Sequence, residues 1–217
     1  MNAKKLSQVT LIPIAFLLCI QAAPHAVAAS PKQATEKEVV ETFIAEVSRP
    51  DGAPKAKDSF NDAAQNMDFE EMAKRAFGES GWPKFSAGEQ KEVTTLFRRL
   101  IQIRFYPRWR RIFQKGHFEF ISQSKQGGDT LVAGKLNLDG KKSALTFRLA
   151  KTHESFRLVS MSVKDKDLLE RTSVRLKRGL SQKGAAGLIA HLKKRTAETP
   201  KDAADKPKLE ELISGGK

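Results

Sequence analysis

The sequence predicts an α+β fold, with about four antiparallel strands in one twisted sheet packed against helices. Three observations predict it. Apolar residues recur at helical spacing from Glu36 to Phe113, the pattern changes to a two-residue period between His117 and Lys164, and helical spacing returns from Leu168. The strand segments are joined by connections short enough for hairpins, so the sheet is a meander with helices on one side.

Residues 1–29 read as a secretory signal peptide. Lys4 and Lys5 open it, an apolar run extends from Val9 to Ile20, and Ala26-Val27-Ala28-Ala29 offers small residues for cleavage after Ala28 or Ala29. The run is about a dozen residues, short of the roughly 20 that a spanning helix needs, and Pro13 interrupts it. Leu18 stands where an acylated Cys19 would need a small neighbour, so no lipid anchor is expected. Cys19 is the single cysteine. The mature chain then has neither a disulfide nor a thiolate site, and about 190 residues must be held by an ordinary apolar core. The formal charge of +14 falls to +12 with the loss of Lys4 and Lys5. Such a field favours acidic partners, whether lipid headgroups or protein surfaces, although basic residues also serve simply to solvate a surface.

In the mature part, Val39, Val40, Phe43, Ile44 and Val47 share one face of a helix over Glu36 to Ser48. Pro50, Gly52 and Pro54 break the chain, and a weaker helix is expected from Lys57 to about Gln65. Asp68 and Glu71 have capping-box spacing for a helix that buries Phe69, Met72, Ala73, Ala76 and Phe77 and stops at Gly78. Ser86 and Glu89 repeat the box for a long helix with Val93, Leu96, Phe97, Leu100, Ile101 and Phe105 on its apolar face. Pro107 must kink or end it, and Trp109, Ile112 and Phe113 continue the apolar side.

Strands are expected at Phe118 to Ser124, Thr130 to Leu138, Ser143 to Ala150 and Phe156 to Lys164. Gln126-Gly127-Gly128, Asp139-Gly140 and Thr152-His153-Glu154 connect them. Leu145, Phe147 and Leu149 share one face of the third strand, with Arg148 on the other. Leu168, Thr172, Leu176 and Leu180 then mark a helix, Gly184 breaks it, and Leu188, Ile189 and Leu192 continue. Residues 196–217 mix Pro, Ala, Lys and Asp and read as a mobile charged tail. The domain proper is therefore residues 30–195.

The catalytic inventory is poor. His117, His153 and His191 lie far apart with no metal-ligand spacing, there is no phosphate-binding Gly-rich loop, and no Ser sits in a nucleophile elbow. Asp165 and Asp167 precede a basic helix, where acidic residues suit the N-terminal dipole. No enzyme activity, cofactor or metal is expected. Arg98, Arg99, Arg104, Arg108, Arg110, Arg111 and Lys115, interleaved with Phe105, Tyr106, Trp109 and Phe113, form the most pointed feature. Such a mixture suits nucleic acid, anionic headgroups beside an apolar cavity, or a solvated helix face whose aromatics are core. Secretion argues against nucleic acid.

The stretch Asp68-Phe69-Glu70-Glu71-Met72-Ala73-Lys74-Arg75-Ala76-Phe77-Gly78, then Trp82, then Ser86 to Tyr106, resembles the MlaC or toluene-tolerance family of periplasmic phospholipid-binding proteins. Lys183-Gly184, Gly187-Leu188-Ile189 and Leu192-Lys193-Lys194 are similar to that family's terminal pattern, so the resemblance spans most of residues 36–195. The chain departs from it at Glu79-Ser80-Gly81, at Phe105 and Phe156, where the family has Tyr and Trp, and at Asp165-Lys166-Asp167, where it has a Gly-Val-Ser turn.

The resemblance implies an NTF2-like or cystatin-like sheet with a helical subdomain, enclosing an apolar pocket for lipid tails. It also implies a periplasmic carrier that shuttles phospholipid between an outer-membrane lipid complex and an inner-membrane MCE-type ABC transporter. Candidates for the pocket lining are Phe97, Leu100, Ile101, Phe105, Phe147, Leu149, Phe156, Leu158 and Leu176. Arg104, Arg108 and Arg111, at spacings of four and three, are candidates for headgroup recognition or docking, provided the helix survives Pro107. A monomer is expected. Two other readings stand beside this one: a carrier of a hopanoid or other polyprenoid lipid, and a ligand-free basic protein that docks on acidic partners.

Overall fold

The computed structural model describes residues 33–50, 53–54, 59–152, 155–164 and 166–197. The expected signal peptide at 1–29 and residues 198–217 of the expected tail lie outside them. Helices α1 (Glu36–Ser48), α2 (Ser59–Gln65), α3 (Phe69–Phe77), α4 (Ala87–Arg104) and α5 (Tyr106–Lys115) come first. Strands β1 (His117–Gln126), β2 (Asp129–Leu138), β3 (Lys141–Thr152), β4 (Ser155–Val163) and the short β5 (Lys166–Asp167) follow, and α6 (Leu168–Ala197) closes the described chain. The strands form one antiparallel sheet in the order β1-β2-β3-β4-β5. The fold is α+β as the sequence predicts, with β5 as an additional strand.

Local chemistry sets the helix ends. Thr35 Oγ1 accepts from the Glu38 amide while the Glu38 carboxylate accepts from the Thr35 amide, so α1 starts on a complete capping box. Ser86 and Glu89 do the same for α4. The box expected at α3 is only half formed. Asp68 accepts from the Glu71 amide at 2.9 Å, but the Glu71 carboxylate turns away to accept from Arg75 Nε at 2.7 Å. An ion pair one helical turn away outcompetes the return bond of the box.

Pro107 ends the long helix: α4 stops at Arg104, Phe105 serves as the shared cap, and α5 starts at Tyr106 with the proline in its first turn, where the missing amide costs nothing. Gly184, at φ 66°, breaks α6 into two helical segments. Asp167 caps the first segment, accepting from the amides of Leu169 at 2.7 Å and Glu170 at 3.2 Å.

The sheet turns its apolar face to the helices. Leu145, Phe147 and Leu149 of β3 are at most 1 % exposed, and Val132 lies opposite Phe147 on β2. On β4 the register slips: Leu149 faces Leu158, yet Arg148 faces Ser160, so Val159 is an extra residue. That bulge changes the parity of the strand, and Met161, opposite Phe147, joins Leu158 on the buried side. The β2–β3 hairpin turns through Asp139 and Gly140, both at positive φ (49° and 76°), as a two-residue primed turn requires.

Both halves of the outer edge of β4 are occupied. Leu158 exchanges backbone hydrogen bonds with Asn66 and Asp68 at 2.8 and 3.0 Å, and β5 pairs with Ser162 and Val163. The outer edge of β1 carries no such partner among the described residues.

One ion cluster ties α3 to the sheet. Arg75 donates twice to the Asp129 carboxylate, at 2.6 and 2.9 Å, and Arg148 donates to it at 3.2 Å. Burial of Asp129 opposes its ionisation, but the two guanidiniums outweigh it and hold the carboxyl below its ordinary range.

Candidate functional site

The helices do not close flush on the sheet. A narrow apolar cleft remains, with a cavity of only about 20 Å³, lined by Phe43, Met67, Met72, Phe97, Ile101, Phe105, Trp109, Phe147, Leu158, Ser160, Met161, Leu168, Leu169 and Thr172. Each helix supplies the residues its own buried stripe dictates: Phe43 from α1, Met72 from α3, Phe97 and Ile101 from α4, Trp109 from α5. Phe105 comes from the α4–α5 break, and Leu168, Leu169 and Thr172 come from the first turns of α6. The half-buried members, Met67, Phe105, Leu168, Leu169 and Thr172, form the rim. That space is about what one water molecule needs, so a ligand enters only as the wall moves apart.

The wall is both soft and aromatic. Every methionine after Met1, namely Met67, Met72 and Met161, lines the cleft. Unbranched thioethers repack at low cost, so this wall can yield to a ligand larger than the cleft itself. The aromatic side is stiffer. Phe43 meets Trp109 edge-on at 5.5 Å and Phe147 at 6.3 Å, and Phe147 also meets Phe113 and Phe118.

Polar groups at the wall are satisfied. Ser160 Oγ donates to Asp167 Oδ1 at 2.5 Å, so the cap of α6 also holds the one serine of the lining. The Tyr106 hydroxyl, behind the wall, donates to Met67 Sδ at 3.1 Å, and burial pushes its pKa above the usual phenol range. Among the described residues no lining side chain carries a charge. Among the described residues no group of three or more His, Cys, Asp or Glu side chains is placed to hold a metal ion. The lining suits apolar matter.

Of the lining residues predicted from sequence, Phe97, Ile101, Phe105, Phe147 and Leu158 stand on the cleft wall. Leu149 and Leu176 are buried but lie in the solid core, and Leu100 is half-buried against it. Phe156 sits at the far end of β4, its ring 5.1 Å from Lys125 Nζ. Period and face told which residues point inward, but not how far along the element the helices part from the sheet. Phe43, Trp109 and the three methionines were missed for that reason. For the methionines the signal was their small number after Met1, with Met72 on the apolar stripe of α3.

The three candidate arginines do not line the cleft. Arg104 ends α4, while Arg108 and Arg111 belong to α5, so the break at Phe105 separates the first from the other two. Arg104 is exposed, and the other two are half-buried. Their neighbour Arg110 is structural: it donates to Ser59 Oγ at 2.6 Å and lies 4.1 Å over the Phe60 ring.

A family model described as MlaC protein matches residues 33–194. Among solved structures, the fold is similar to that of a phospholipid-binding protein from Ralstonia solanacearum, determined in complex with a phospholipid. The TM-score is 0.64 at 19 % identity, and the alignment covers 76 % of this chain and 96 % of that chain. No curated protein matches this chain.

Proposed function

The chain belongs to the MlaC family, matched over residues 33–194, and from that premise we propose that it binds a phospholipid by the tails in the apolar cleft. The observation that carries the reading is the cleft itself: an uncharged pocket with a methionine-rich wall and a half-buried rim, on a fold similar to that of a phospholipid-bound protein. Each buried tail methylene is worth roughly 0.8 kcal/mol, so a tail crossing water needs such an enclosure, and no catalytic group is required. The role is that of a periplasmic carrier, the soluble component of an ABC-linked system, working as a monomer between an inner-membrane MCE-type transporter and an outer-membrane lipid complex. Arg104, Arg108 and Arg111 border the α4–α5 junction and serve headgroup contact or docking from outside the lining.

Native mass spectrometry of the full protein as isolated tests this reading. One bound phospholipid per chain is expected, and Ile101→Gln should lose it while circular dichroism stays native. Ile101 is the better position than Phe147, whose ring is locked among three others. A polyprenoid mass would replace the ligand named here, and wild-type protein that holds no lipid would leave the ligand-free docking reading. Charge reversal at Arg104 and Arg108 should slow lipid exchange with anionic liposomes, and more so at low salt.

A further inference from the structure

We propose that the outward face of the first segment of α6 is a docking surface for an anionic phospholipid membrane, placed beside the rim of the cleft. Arg171, Arg175 and Arg178 recur at steps of four and three residues, so they share one helical face, and Val174 stands among them. All four are exposed. Val174, at 57 %, is the most exposed large hydrophobic residue among those described.

None of the three guanidiniums has an ion-pair partner among the described residues, whereas Arg49, Arg75 and Arg148 are each paired with a carboxylate. Arginines at i, i+4 and i, i+3 without an interleaved acid repel one another, an arrangement that an anionic surface relieves. Guanidiniums fork onto phosphate oxygens, and an apolar side chain set among them gains by entering the headgroup layer. Val174 is therefore what favours a lipid surface over an acidic protein surface. The same helix supplies Leu168, Leu169 and Thr172 to the cleft. Arg171 follows Leu168, and Arg175 follows Thr172, by three residues, so the basic face borders the rim. Docked by this face, the protein holds the mouth of the cleft near the bilayer, and a lipid tail passes between the two with little exposure to water.

The inference rests on the lipid-binding reading of the cleft for its purpose, but its test is separate. Sedimentation of the full protein with phosphatidylcholine vesicles, with and without phosphatidylglycerol, measures docking. Wild type should bind the anionic vesicles and release them at high salt. The triple variant R171Q/R175Q/R178Q should bind on the order of 100-fold more weakly, from about 1 kcal/mol for each basic residue at the surface. Glutamine keeps helix propensity, so circular dichroism and lipid content by native mass spectrometry should be unchanged. K135Q/K141Q/K142Q, which removes the same charge from exposed sheet positions, should bind nearly as wild type, and Val174→Ser should weaken binding without altering its salt dependence. Equal loss in the two triple variants would reduce the effect to net charge and overturn the proposal. So would wild type that ignores anionic vesicles, an outcome that assigns the stripe to an acidic protein. Lipid-free wild type that still docks would refute the carrier function and not the docking surface.

Discussion

Replacing Phe147 with alanine separates a cleft wall from a solid core. The side chain is 1 % exposed and meets Phe43 at 6.3 Å, Phe113 at 6.4 Å and Phe118 at 5.5 Å. Truncating a buried Phe costs about 3–5 kcal/mol, the sum of lost transfer energy and the void left behind. Here the void would open into the existing cleft, because Phe147 also lines it. Apolar cavities stay dry and accept apolar ligands. In the lipid-loaded protein a tail can enter the space. If three methylenes do so, about 2 kcal/mol is regained at roughly 0.8 kcal/mol each. Urea unfolding of delipidated and loaded protein should therefore show the full loss in the first and about half in the second. The same loss in both states would refute the placement of lipid tails against Phe147.

Asp129→Asn should cost roughly 1.5–3 kcal/mol at neutral pH, since it removes a charged acceptor that Arg75 and Arg148 share. A carboxyl depressed in the folded state contributes stability above its unfolded pKa and loses it as pH falls through the folded pKa. Wild type should thus lose stability more steeply than the variant on acidification below about pH 4, as acid titration followed by circular dichroism would show. Asp167→Ala should cost about 1–2 kcal/mol through the lost cap of α6 and the orphaned Ser160 hydroxyl. Because that helix end carries Leu168 and Leu169, the alanine variant should also retain less lipid than Asp167→Asn, which can still cap; equal retention would show that the cap does not support the rim.

Apart from β5, the succession of helices and strands was legible in the sequence, and the reasons lie within a few residues of each element. Ser86 with Glu89 makes a local capping box, Pro107 lacks an amide, and Asp139-Gly140 suits a primed turn. The alternation of Leu145, Phe147 and Leu149 likewise fixed which face of β3 is buried, because side chains on a strand alternate whatever lies opposite. The family resemblance was legible in the same local motifs. Where the cleft lies follows from packing between distant elements. The bulge at Val159 depends on the register of two strands and places Met161 inward where alternation from Leu158 would not. The wall combines Phe43, Trp109 and Leu168, which lie more than a hundred residues apart at the extremes. The division of roles among the arginines is of the same kind: Arg75 meets Asp129 across 54 residues, Arg110 meets Ser59 across 51, and Arg171, Arg175 and Arg178 meet no carboxylate among the described residues. Spacing along one helix gives the direction of a charge, but what stands opposite it is set by packing between elements distant in the chain.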